Sequence, residues 1–399
     1  VRADLVGAGS REDRRQVHPA LNRGSAPWAL DVIDPDELGA WLRLLETPGV
    51  GRESARRLLS SFASPEGVFR ASQAAWRSVV GDAVASALAA EPESLPALTA
   101  KTLEWLHAAP QSRSVIALGD SSYPAALLET ADPPLLLYAQ GRVAQLQIPS
   151  LAIVGSRNPT PQGVDNARAF AEHLSHAGLT IVSGLALGID AAAHEGALIG
   201  PSGTIAVVGT GLDQVYPKRN AKLAQRIVEE GLLLGEYSLG TPPLPPNFPV
   251  RNRIIAGLTR GTVVVEAALQ SGSLITARLA AEAGRDVYAI PGSIHSPLSR
   301  GCHALLKQGA KLVDTAQDIL EDLHLGGATA RTQRPQQPSH PAEPDPLLNA
   351  LGYDPMGLEA LVARTGWSAA QLSAKLLELE LDGQVARLPG QLFQRISQG

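Results

Sequence analysis

Leu151-Ala152-Ile153-Val154-Gly155-Ser156-Arg157 is the stretch on which the fold turns. Four apolar residues read as a buried strand, and Gly-Ser-Arg then bends the backbone sharply. Asn158-Pro159-Thr160-Pro161 continues the turn, and the amphipathic pattern over 164–177 predicts a helix. Buried strand, glycine turn and helix make the first half of a βαβ unit. A turn of this kind aims backbone N–H groups beyond the carboxyl end of the strand, a place that suits anions. With an arginine on the turn itself, the expectation is an anion site, with phosphate as first candidate.

The texture repeats outward from this stretch. Residues 115–118 and 135–138 read as strands leading into a main sheet, followed by 152–154, 180–182, 205–208, 232–234, 262–265 and 287–290. Each is short and nearly all apolar, and helical segments separate the first five strands of the main set. The pattern predicts an α/β fold: an extended Rossmann-like, mostly parallel sheet covered on both faces, over residues 111–324. The flanks read differently. Residues 1–27 are rich in Arg, Gly and polar types and are expected to be a disordered tail. Residues 28–110 have a helical, short-looped pattern. Within them Thr47-Pro48-Gly49-Val50-Gly51 separates two helical stretches and resembles the helix-hairpin-helix (SAM-like) modules, whose glycine hairpin offers N–H groups to a DNA phosphate. Arg52, Arg56 and Arg57 follow it; the opposing reading is a small helical spacer. Residues 325–346 are Pro- and Gln-rich without periodicity and read as a linker. Residues 347–399 read as three helices and a hairpin across Pro389-Gly390, a winged-helix pattern. The third of those helices carries Gln371, Lys375, Glu378 and Glu380, with Asp382 just beyond. One lysine against three carboxylates predicts a protein-contact or accessory role rather than groove reading.

The chain has 399 residues, too many for one core, so two or three domains are expected. No apolar run approaches the ~20 residues that span a bilayer. The first residues lack a continuous apolar stretch of the kind a secretory signal carries. The lone cysteine, Cys302, excludes an intramolecular disulfide and a multi-cysteine zinc site, and it fits a reducing cytoplasm. No metal or cofactor is expected. The formal net charge is −5, so no overall positive field advertises nucleic acid, and any DNA binding must come from a local patch. Most of the positive charge is arginine, whose planar fork suits bidentate phosphate contacts.

Ligands of an open parallel sheet bind beyond the carboxyl ends of its strands. Those ends carry Gly155-Ser156-Arg157, Ser183-Gly184, Gly209-Thr210-Gly211, Gly235-Glu236 and Glu266, and Lys218 follows the third. The stretch 240–249 holds five prolines and is expected to be neither helix nor strand. It delivers Phe248, then Arg251-Asn252-Arg253 at the start of a helix. Arg157, Lys218, Arg251 and Arg253 are thus expected to converge on one crevice with Phe248 as a stacking platform, the combination that sequence-tolerant single-strand binding uses. The competing reading pairs Arg251 or Arg253 with Glu236 or Glu266. Ser273 is placed to cap a helix whose end also suits an anion. A dinucleotide site is disfavoured, since the first turn lacks G-x-G-x-x-G and no Walker lysine motif occurs. Asp190 and His194 lie four apart on one helix and admit an acid–base pair, but a packing pair is the better reading and no nucleophile is placed to use them. The expectation is a protein without catalysis.

These residues carry a family likeness. Ala152-Ile153-Val154-Gly155-Ser156-Arg157, Ser183 through Asp190 with His194, and Tyr216-Pro217 with Asn220 resemble the DprA/Smf DNA-processing proteins. So do Phe248 through Ile255, Glu266-Ala267 through Ser271-Gly272-Ser273 to Ala277, and Pro291-Gly292. The likeness runs in unbroken order from about 114 to 320. It implies single-stranded DNA binding without catalysis, a homodimer, protection of incoming DNA, and its delivery to the recombinase RecA in natural transformation, with single-strand-binding protein as a further candidate partner. It implies DNA contacts from Arg157, Phe248, Arg251 and Arg253, beside Gly155, Ser156, Gly184, Lys218, Asn252 and Ser273. The dimer seam is expected in the sheet's last elements, 287–320, where Leu298, Leu305, Leu306 and Leu312 supply apolar surface. The alternative is a nucleotide-processing enzyme of the lysine-decarboxylase-like phosphoribohydrolase type. That group carries Pro-Gly-Gly-x-Gly-Thr-x-x-Glu, whereas here Thr259-Arg260-Gly261-Thr262 precedes Val263-Val264-Val265-Glu266.

Overall fold

The computed structural model describes residues 33–325 and 345–396. The expected tail at 1–27 and all but the ends of the expected linker at 325–346 lie outside the described residues.

Nine strands make the main sheet: β1 (Arg113–Ala117), β2 (Leu136–Gly141), β3 (Ser150–Val154), β4 (Thr180–Ser183), β5 (Thr204–Val208), β6 (Leu232–Gly235), β7 (Gly261–Val264), β8 (Asp286–Ala289) and β9 (Lys311–Leu312). Their spatial order is β1-β2-β6-β5-β4-β3-β7-β8-β9. The pairs from β6 to β9 are parallel, and β2 joins β6 and β1 antiparallel. β3, β4, β5, β6 and β7 are buried at every residue, which is why they read as continuous apolar runs with no alternation. The expected α/β class is what the chain adopts; the two-residue β9 was not expected from the sequence.

The topology places the site. From β3 the chain steps through β4 and β5 to β6, then crosses back so that β7 pairs with the other side of β3, Ala152 opposite Thr262. The strand order reverses between β3 and β7, so the connections leave those two strands in opposite directions and open a crevice between them. One face of the sheet is covered by the helices Pro161–His176, Ile189–Ala197 and Ala316–Asp322, the other by Asn247–Leu258 and Ser273–Glu282. The helix Asn247–Leu258 corrects the expectation that 240–249 holds no helix: its first turn already contains Phe248 and Pro249. Proline is tolerated there because a first-turn N–H has no partner inside the helix in any case.

The N-terminal helices, Pro35–Glu46, Arg52–Phe62, Pro65–Arg70, Gln73–Leu88 and Leu95–Ala108, share one core with the sheet. Leu38, Leu42, Trp76 and Trp105 join Leu135, Leu136 and Tyr138, and the Trp105 and Tyr138 rings meet edge to face at 6.1 Å. In the C-terminal part, Pro346–Leu351, Leu358–Thr365 and Ala369–Leu381 pack on β10 (Met356–Gly357), β11 (Val385–Leu388) and β12 (Leu392–Arg395), ordered β10-β12-β11. Ser368 caps the third helix, and Gln371 returns the bond to the Ser368 backbone, a capping box that fixes where this helix starts.

Candidate nucleic-acid interface

A crevice of about 500 Å³ opens at the β3–β7 switch point. Three segments wall it: the Gly155-Ser156-Arg157 turn after β3, the first turns of Asn247–Leu258 with Phe248, Arg251 and Asn252, and Gln270 to Ser273 at the start of Ser273–Glu282. Seven of the ten residues singled out from the sequence therefore line one cavity: Gly155, Ser156, Arg157, Phe248, Arg251, Asn252 and Ser273. Gly184 lies directly behind it. Lys218 is exposed on the short 3-10 turn Lys218–Asn220, outside the lining, and Arg253 does not join the group at all.

The two arginines of the crevice are held differently. Arg157 is exposed on its turn, and the Ser156 hydroxyl accepts the Asn158 N–H at 3.1 Å to close that turn. Arg251 is only 5% exposed. Its Nη1 donates to the carbonyls of Gly184, at 2.9 Å, and Val207, and its Nε donates to Asn252 Oδ1 at 3.1 Å. Burial, joined by the Arg157 charge and opposed by that of Asp190, lowers its pKa to about 10, so it stays cationic at neutral pH. Asp190 supplies the opposite charge, and its Oδ2 accepts the N–H groups of Gly184 at 3.1 Å and Ala186 at 3.3 Å. Burial pushes this carboxyl above the usual range, and Arg251 and the two amides pull against it. Arg251 and Asp190 thus both hold the turn at Gly184, one by its carbonyl and the other by its N–H. Gly184 is required by that grip: a Cβ there would lie 2.5 Å from Arg251 Nη2 and 2.9 Å from Asp190 Oδ2.

Asp190 and His194 take separate partners. His194 Nδ1 faces the Thr204 hydroxyl at 2.7 Å, and that hydroxyl donates to the Ile181 carbonyl, so the imidazole is the donor of the pair. Burial, then the Arg251 charge, pushes this histidine down to about 3, which keeps it neutral. Glu266 is likewise occupied. Its carboxylate accepts the Thr160 N–H at 2.9 Å and hydroxyl at 2.6 Å, tying the end of β7 to the helix that follows β3. Burial raises its pKa against those two bonds.

The third wall supplies neutral donors. Gly272, not Ser273, is the N-cap of Ser273–Glu282; it has no side chain, and the Ser271 hydroxyl accepts the Ser273 N–H at 3.3 Å in its place. The Ser271 and Ser273 hydroxyls meet at 2.7 Å. Phe248 is half-buried, with one edge of its ring against Gly209, where a Cβ would approach to 3.0 Å.

Arg253 points away because residues two apart on a helix face roughly opposite sides. Its guanidinium pairs with Asp132 and Glu236 and is 13% exposed. Asp132 also receives Arg52, at 2.8 Å, and Arg56, two of the three arginines that follow the N-terminal glycine hairpin. The arginines expected to help grip DNA are committed here to a carboxylate of the α/β body. Asp132 and Glu236 organise this seam, and reading the sequence missed Asp132: a single acid in a loop, 80 residues from Arg52, leaves no pattern. Asn220 was legible only as part of a motif; its Nδ2 donates to the Leu185 and Ala186 carbonyls, pinning the Lys218 turn to the one Arg251 grips.

Residues 114–324, which contain the whole crevice, match the family model described as DNA recombination-mediator protein A, and residues 331–391 match the DprA winged helix domain. The chain belongs to the DprA/Smf family. It is 44% identical to protein Smf of Escherichia coli over 275 residues, 67% of this chain and 74% of that protein. It is 51% identical to DNA processing protein DprA of Streptococcus pneumoniae over 203 residues, covering 51% of this chain and 72% of the relative. The X-ray structure of DNA processing protein A from Streptococcus pneumoniae superposes with a TM-score of 0.63 at 38% identity, over 73% of this chain and 98% of that one. Family membership makes this a DNA-processing protein, and the superposition carries the mostly parallel sheet and its switch point with it. Among the described residues no helix is long and apolar enough to cross a membrane, and no cluster of His, Cys, Asp and Glu could hold a metal ion.

Proposed function

We propose that the chain binds single-stranded DNA in the β3–β7 crevice and, as a homodimer in the cytoplasm, protects incoming strands and loads RecA on them during natural transformation. Single-strand-binding protein is then the competitor that the loader must work against. The observation that carries the binding reading is the composition of the crevice. An exposed arginine, a buried arginine, two hydroxyls at a helix start and a half-exposed aromatic ring line one cavity. Cations and hydroxyls track phosphates, and the ring takes a base face without regard to its identity. In this reading Arg157, Arg251, Asn252, Ser273 and the backbone of Gly155, Ser156 and Gly184 hold phosphate, Lys218 extends the cationic track, and Arg253 braces the helix from behind.

The phosphoribohydrolase alternative has less support. With Gly261-Thr262 set on that group's Gly-Thr, the motif's glutamate position falls on Val265, and the carboxylate of Glu266, one residue on, is turned to Thr160. That alternative predicts free base released from nucleoside monophosphates, and none is expected.

The test is a salt titration with single strands and duplex of one sequence. Single strands should bind tighter, log affinity should fall steeply with log salt, and Arg157→Ala should weaken binding alike on all sequences while making the salt slope shallower. Equal affinity of Arg157→Ala and the parent chain at every salt concentration would remove the crevice from the proposal.

A further inference from the structure

Beyond the crevice lies an exposed aromatic ring that abuts its wall. Tyr216 is 47% exposed, and its ring meets that of Phe248 at 5.5 Å between centroids with the planes 36° apart. Phe248 lines the crevice; Tyr216 lies outside the lining. Val215 beside it is 41% exposed, so the loop tip presents an apolar patch adjoining the crevice, the kind of surface that a ligand covers. The loop that presents it is held in place. Asn220, four residues on, is buried and donates to two carbonyls of the turn that Arg251 grips, and the Thr210 hydroxyl donates to the Gln214 carbonyl at 2.8 Å. Lys218 and Arg219 follow Tyr216 after Pro217, and both are exposed.

From this juxtaposition we infer that Tyr216 is a second base-stacking subsite, which takes the nucleobase next to the one on Phe248. It rests on the single-strand reading of the crevice and extends it. The ring geometry chooses between two arrangements. A base inserted between two rings needs them about 7 Å apart, two stacking spacings of about 3.4 Å. Phe248 and Tyr216 are already in contact, so no base fits between them. They form instead a two-step platform whose outer faces receive successive bases. Phosphates held at Arg157 and the Ser273 helix start on one side, and at Lys218 and Arg219 on the other, would bracket those two bases. The strand therefore leaves the crevice across the end of β5 rather than ending inside it.

The experiment measures affinity for oligothymidylates of increasing length by fluorescence anisotropy. It compares the parent chain with Tyr216→Phe, Tyr216→Leu, Phe248→Ala and Arg157→Ala. Leucine keeps apolar bulk leaning on Phe248 but has no π-face, whereas phenylalanine keeps both. Tyr216→Phe is expected to bind as the parent does. Tyr216→Leu is expected to lose roughly 5- to 100-fold on oligonucleotides long enough to reach both rings, and less on the shortest ones. If Phe248→Ala and Arg157→Ala weaken binding while Tyr216→Leu does not, the crevice reading stands and the second subsite is refuted. If Tyr216→Phe loses as much as Tyr216→Leu, the hydroxyl rather than the ring makes the contact, and the stacking assignment fails. If no variant loses affinity, the crevice reading fails and this inference falls with it.

Discussion

Gly184 joins fold and site at the scale of one residue. Its N–H donates to Asp190, its carbonyl accepts from Arg251, and its missing side chain leaves the space that the guanidinium fills. Any Cβ there meets the Arg251 guanidinium and the Asp190 carboxyl, both buried and fixed by hydrogen bonds, rather than a mobile side chain. Gly184→Ala is therefore expected to cost about 1–3 kcal/mol of stability through overpacking. It should also weaken single-strand binding, because Arg251 is displaced from the crevice floor. Chemical denaturation together with a DNA titration checks this, and an alanine variant with parent-like stability and affinity would show that the pair can shift without consequence. His194 sets a contrast: held neutral with a pKa near 3, it adds no titration between pH 5 and 8.

Among elements, the seam between the N-terminal helices and the sheet is held by charge as well as by its apolar core. Asp132 gathers Arg52 and Arg56 from the helix Arg52–Phe62 and Arg253 from Asn247–Leu258. Burial works against ionising this carboxyl, but the Arg253 hydrogen bond and charge, then Arg52 and Arg56, outweigh it and lower the pKa from 3.8 to about 2. A carboxyl whose folded-state pKa lies below its unfolded value contributes stability above the unfolded pKa. That contribution is lost as pH falls through the folded one. Asp132→Asn is accordingly expected to cost about 1–3 kcal/mol at pH 7, with the difference from the parent chain shrinking as pH falls from about 4 towards 2. Urea midpoints for both chains across that range measure it; a difference constant with pH would mean that Asp132 acts through shape and not charge. The hairpin arginines therefore read best as a clamp that orients the helix bearing Phe248 and Arg251.

For the whole molecule the open question is assembly. The sheet ends at β9, only two residues long, where Leu312 is 57% exposed and Lys311 pairs with Asp286 and Asp322. A groove of about 650 Å³ runs between Ser273–Glu282 and Arg300–Lys307, with Leu269, Leu274, Val287 and Leu305 among its lining. Leu305 and Leu306 pack partly into their own core, so Leu312 is the most exposed of the four leucines expected at a dimer seam. A lysine on a short edge strand discourages strand-to-strand pairing, which favours contact through side chains. Light scattering at micromolar concentration is expected to give a dimer mass for the parent chain and a monomer for Leu312→Glu. The dimer should speed RecA strand exchange on DNA coated with single-strand-binding protein, since two linked crevices raise the effective concentration of the second contact. A strict monomer that gives RecA no help would refute the loader proposal while leaving DNA binding intact.

By itself the sequence determined the α/β class and eight of the main sheet's nine strands, because short all-apolar runs alternating with helical segments have few other ways to be buried. It also determined that glycines and arginines gather beyond the strand ends, a consequence of parallel topology that needs no coordinates. Periodicity is local: backbone hydrogen bonding imposes it over a few residues, so it can be read from a few residues. Only the tertiary structure decided that Arg251 turns into the crevice while Arg253 turns to Asp132, and that Ser271 joins Ser273 in its wall. It alone brought Arg52 to Asp132 and Tyr216 to Phe248. Those pairings span from 32 to 121 residues of chain, and they depend on which strand lies beside which once the order reverses between β3 and β7. No side chain records in its neighbours along the sequence the partner it will meet across a sheet.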